Sequence, residues 1–109
     1  MKAVVLHAPH RLVIEDREVP RPGEGEVLVR IHRAGICGSD MHYYHHGGFG
    51  TVRTNAPMVL GHELAGVVDK LGPGASGIAP GTKVAVDPSL ACGQCRYCLT
   101  GMKRQCSDM

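Results

Sequence analysis

Four of the five cysteines in this 109-residue chain, Cys92, Cys95, Cys98 and Cys106, fall within its last eighteen residues, "CGQCRYCLTGMKRQCSDM". Two residues separate the first from the second and the second from the third, and seven stand before the fourth. Tetrahedral zinc needs four thiolates converging at about 2.3 Å, and two-residue spacers let a chain fold round the ion with backbone amides facing the sulfurs. Four thiolates leave no coordination position open, so the spacing predicts a structural zinc site in a lobe spanning residues 90–107. A redox pair leaves two thiols unexplained, and incidental burial leaves the spacing unexplained. A zinc ribbon that reads nucleic acid would present a basic or aromatic surface, and the loop offers only Lys103 and Arg104.

The chain as a whole reads as about one domain, a module of something larger, since 109 residues support a single modest core. With 43% hydrophobic and 20% charged residues and a formal net charge of +2, there is no electrostatic case for a nucleic-acid partner. The apolar run before His7 is too short for a signal peptide, and no later run could span a bilayer, which excludes a membrane partner and points to a cytoplasmic protein. A reducing compartment makes metal binding the commoner use of clustered thiols. In "GEVLVRIHRAGI", Val27, Val29 and Ile31 alternate with Leu28, Arg30 and His32, which predicts a half-buried strand. Shorter β-rich runs recur at "KAVVLHA", "RLVIEDRE", "GVVDKLG" and "KVAVDP" between Gly- and Pro-bearing turns, so a mainly β barrel or sandwich is expected. One short helix is expected in "SDMHYYHH", with Ser39 as its N-cap. The "GGFG" stretch reads as a loop near the active site.

"GICGSDMH" and "MVLGHELAGVV" each set metal-ligand types beside glycines at the end of a strand-like run. Cys37, His62 and Glu63 could supply a thiolate, an imidazole and a carboxylate, leaving zinc a position for water or substrate. Taken singly, a lone cysteine is more often a small buried apolar residue and a lone histidine a satisfied polar one.

Across its whole length, however, the sequence resembles the N-terminal catalytic domain of the zinc-dependent medium-chain alcohol dehydrogenases, a GroES-like β-barrel. "GICGSDMH", "GHELAGVVDKLGPGA" and the cysteine spacing carry the resemblance; Gly61, His62, Glu63, Gly66 and Gly72 match the family's glycine-histidine-glutamate signature. "CGSDMHYYHHGGFG" followed by "APMVLGHE" is similar to the polyol branch, whose small-molecule substrates are polyols or sugar acids of the sorbitol or L-idonate type. The resemblance implies Cys37, His62 and Glu63 as ligands of a catalytic zinc. It implies Ser39 as the group taking the substrate's proton, His42 as the residue passing it toward solvent, Asp40 as the carboxylate behind His62, and Tyr43 as a substrate contact. It also implies hydride transfer to NAD or NADP and a homo-oligomeric full-length enzyme, dimer or tetramer. Of the other histidines, His7, His10 and His32 read as solvated surface, and His45 and His46 as cleft lining or polar loop.

A hydride-transfer enzyme holds its dinucleotide on a strand, a glycine-rich turn and a helix with a later acidic residue. No stretch here has that pattern, so residues 1–109 read as part of the catalytic domain, without a Rossmann domain, able to bind zinc but not to turn over alone. Two alternatives stand beside this reading: a zinc-dependent alcohol or aldehyde reductase of another branch, and a free-standing zinc-binding interaction module.

Overall fold

The computed structural model describes residues 1–108. Eight strands and two short helices follow in the order β1 (Lys2–Ala8), β2 (Arg11–Asp16), β3 (Val27–Gly35), α1 (Gly38–His46), β4 (Gly48–Phe49), β5 (Val52–Arg53), β6 (Met58–Val59), β7 (Glu63–Leu71), β8 (Lys83–Val86) and α2 (Arg96–Leu99), closed by a 3-10 turn at Lys103–Gln105. The architecture is mainly β, as expected. Its ladders form two antiparallel three-stranded sheets, β2-β1-β6 and β3-β7-β8, and a β4-β5 hairpin. No helix among the described residues is long and apolar enough to cross a membrane.

Val5 and Leu6 on β1 and Val68 on β7 are the largest fully buried side chains, joined in the core by Ala3. Burying an aliphatic side chain of this size stabilises a fold by about 1.5–3 kcal/mol, so these two strands anchor their sheets. Between the sheets' ends, the Pro9-His10 turn docks on α1. The His10 amide donates to the Tyr44 carbonyl at 2.8 Å, and its ring meets the Tyr44 and His45 rings edge to face, at 5.0 and 5.3 Å between centroids. His10 is therefore a docking residue. His7 pairs with Glu15 across the β1-β2 ladder and is half-buried, whereas His10 and His32 are exposed, as expected of solvated surface.

The long β3-β7 ladder positions the site. Its register sets Gly35 opposite Glu63, Ala34 opposite Leu64 and Ile31 opposite Gly66. The end of β3 thereby lies beside the start of β7. Gly66 permits this approach, because a Cβ there would run into the Arg30 carbonyl oxygen and would lie 3.0 Å from Ile31 Cα. The family-like glycine thus has a plain steric reason.

Several expectations shift. The helix is capped by Cys37 and begins at Gly38, two residues before the position that Ser39 as N-cap implies. Asp40, at the third helical position, accepts the Cys37 amide at 2.9 Å, and this reach back across the first turn selects the earlier start. "GGFG" supplies Gly47, the C-cap of α1, and the first strand of the β4-β5 hairpin, and His45 and His46 lie in the helix's last turn. The apolar face expected on β3 is also less covered than its alternation implies: Val27 is 36% and Ile31 42% exposed. Alternation fixes which residues share a face and says nothing of whether another layer packs on it.

Candidate metal centres

At the joint of β3, α1 and β7, the chain brings Cys37, His62 and Glu63 together, with one ligand atom from each within 4.8 Å of the others. The local route is simple. β3 ends at Gly35, Cys37 caps α1, and His62 immediately precedes the first residue of β7, so antiparallel pairing returns the imidazole and carboxylate to the thiol. Gly35 leaves room for the acid, since a Cβ there would stand 2.6 Å from Glu63 Oε2.

Asp40 ties the two nearer donors into one unit. It is 7% exposed; its Oδ2 accepts the Cys37 amide, and its Oδ1 lies 3.4 Å from His62 Nδ1. A carboxylate on one ring nitrogen orients the imidazole and leaves the other nitrogen to face the site. That second nitrogen, Nε2, lies 3.4 Å from Ser39 Oγ. Hydrogen bonds from the Ser39 side chain and backbone, and then from His62, hold the Cys37 thiol below its ordinary range. The hydrogen bond with Cys37, helped by the charge of Asp40, raises His62. Thiolate character at Cys37 is what a soft divalent cation requires.

His42 and Tyr43 sit further along α1. Phe49 is the ring partner of both, at 6.3 and 5.4 Å between centroids, and no hydrogen bond or ion pair joins either side chain to Cys37, His62 or Glu63 among the described residues. A cavity of about 670 Å³ opens beside His62 and Glu63, walled also by Arg33, Asp87, Ser89 and Arg104. The sequence gives no sign that these four wall residues meet, because they come from three separate segments. Arg104 reaches Asp87 at 3.7 Å and so connects the cysteine lobe to the end of β8.

The second centre is local. Cys92, Cys95, Cys98 and Cys106 offer sulfurs that all lie within 4.8 Å of one another. Cys92 and Cys98 sulfurs stand 4.0 Å apart, as do those of Cys95 and Cys106. Two sulfurs each bonded to one tetrahedral zinc are about 3.8 Å apart, so the donor set fits the ion. Backbone amides face the sulfurs: Cys95 N–H donates to Cys92 at 3.3 Å, Cys92 N–H to Cys106 at 3.3 Å, and Cys98 N–H to Cys95 at 3.5 Å. The Cys98 amide does most to bring the Cys95 thiol down to about 5, while burial pushes the Cys98 thiol up to about 12. Cys106 is lowered, chiefly by the Cys92 amide.

Residues 23–109 match the family model described as the alcohol dehydrogenase GroES-like domain. A curated sorbitol dehydrogenase from Gallus gallus is 46% identical over 91% of this chain and 28% of its own length. The starvation-sensing protein RspB of Escherichia coli (strain K12) is 42% identical over 100% of this chain and 31% of its own length. Among solved structures, L-idonate 5-dehydrogenase from Escherichia coli str. K-12 substr. MG1655 superposes with a TM-score of 0.85 at 39% identity, covering 99% of this chain and 30% of that one. The chain therefore spans less than a third of the length of these relatives.

Proposed function

The chain belongs to the zinc-dependent medium-chain alcohol dehydrogenase family, and from that premise we propose that it is the metal-binding part of a dehydrogenase that oxidises a secondary alcohol of a polyol or sugar acid. The observation that carries this reading is the convergence of Cys37, His62 and Glu63, with Ser39 and Asp40 against the imidazole. Three protein donors leave a tetrahedral ion one position for water or substrate, whereas the four thiolates of Cys92, Cys95, Cys98 and Cys106 leave none. The first set is the reacting centre and the second the scaffold. The named substrates of the relatives support the polyol class, and the cavity beside Glu63 is of a size that holds a small ligand.

Zinc bound at the open site acts as a Lewis acid, favouring loss of a substrate hydroxyl proton and polarising the product carbonyl. The chain's own residues supply the rest. The Ser39 hydroxyl accepts the substrate's proton, and His42 passes it outward along α1. Asp40 holds the Cys37 amide and the His62 ring in place, fixing which imidazole nitrogen faces the ion. Tyr43 contacts substrate hydroxyls. NAD or NADP receives the hydride on chain that these residues do not supply, so the 109 residues alone bind zinc without turning over.

Loading the chain with cobalt(II) and adding sorbitol or L-idonate tests the open site. The polyol is expected to perturb the cobalt absorption, and Cys37→Ser to abolish that response. A cobalt-loaded chain whose spectrum ignores both polyols would overturn the assignment. Sustained NADH formation by the chain from NAD and either substrate would instead overturn the claim that it does not turn over alone.

A further inference from the structure

The C-terminal half of α1 carries a group of imidazoles that the proposed chemistry leaves largely unused. His42 and His46 are four residues apart on one helix and so project from the same face. Both are exposed, and their rings lie 6.2 Å apart between centroids at a tilt of 38°. Their neighbours are other rings. His46 faces His45 at 6.0 Å, His45 faces His10 at 5.3 Å, and His42 faces Phe49. Four of the seven histidines thus gather on one turn and one helix end.

We propose that His42 and His46 form a surface site for a divalent transition metal that prefers imidazole, such as nickel, copper or zinc, separate from the two thiolate-bearing centres. Two histidines at this helical spacing can bind one ion from a single face, as in helical motifs where both rings ligate zinc. Imidazole is a borderline donor suited to nickel, copper and zinc, and water completes the coordination shell. The negative end of the helix dipole lies at the last turn and favours a cation there. A simple dipole role would be met by His45 or His46 singly, with no dependence on the His42-His46 spacing.

Nickel(II) alone is the probe, added by equilibrium dialysis at neutral pH to chain given two equivalents of zinc and dialysed free of any weakly held excess, with released zinc measured alongside. The site predicts nickel uptake without zinc release. That uptake is expected to be lost in His46→Gln and His42→Gln and kept in His45→Gln, with far-UV circular dichroism reporting that each variant is folded. Three results would overturn the site: no nickel uptake, uptake matched by zinc release, or uptake that survives His46→Gln.

Discussion

Asp40 concentrates the logic of the open centre in one side chain. Its two oxygens serve Cys37 and His62 at once, and its burial leaves them few competing waters. Outer-shell carboxylates of this kind commonly carry roughly 10–100-fold in metal affinity. Asp40→Asn keeps the shape but weakens the acceptor for the His62 Nδ1 proton. A chelator competition titration should show metal affinity falling by about that factor at the Cys37 centre while the four-cysteine centre is unchanged. Equal affinity in both proteins would remove Asp40 from the account. At this scale the sequence is informative only where ligands are local. The spacing of Cys92, Cys95 and Cys98 is itself geometry, since a two-residue spacer brackets an ion. Cys37 and His62, by contrast, are far apart in sequence, and only the resemblance to a known family joins them before the fold is known.

The joining is done by elements, above all by β3 and β7. Their register is fixed by close backbone approach at Gly66, where any side chain would meet the Arg30 carbonyl. Because the obstructing atoms are backbone, they cannot swing aside. Gly66→Ala should therefore cost about 1–3 kcal/mol, the usual penalty for overpacking. In urea unfolding of the zinc-loaded chain, the midpoint should fall with little change in slope. An unchanged midpoint would show that the ladder can part without cost. Strand content was legible where valines cluster or alternate between turn signals, as in "KAVVLHA" and "KVAVDP". The two-residue strands β4, β5 and β6 were not, because two residues carry no periodicity. The helix start moved from Ser39 to Cys37 because Asp40 caps through its side chain, a contact that composition does not reveal. The partial exposure of Val27 and Ile31 was hidden for a different reason: alternation marks a face without naming what covers it.

At the scale of the whole molecule, two candidate metal centres of opposite design share one small, mainly β chain. One is assembled across distant segments and keeps three donors beside a cavity; the other closes within fifteen residues and places four sulfurs around a point. The exposed Arg104-Asp87 pair spans the ground between them, bringing the lobe beside the end of β8, in the sheet that begins with Glu63 on β7. In this reading the closed centre shapes the wall of the open one and takes no part in its chemistry. The most direct measurement is zinc stoichiometry after equilibrium dialysis at limiting free zinc under reducing conditions, on the unaltered chain, on Cys37→Ser, on Cys98→Ser and on the two substitutions combined. The account predicts two zinc ions in the unaltered chain and one fewer in Cys37→Ser, with the remaining ion lost only when the four-cysteine set is also broken. A chain that holds one zinc whether or not Cys37 is present would contradict it.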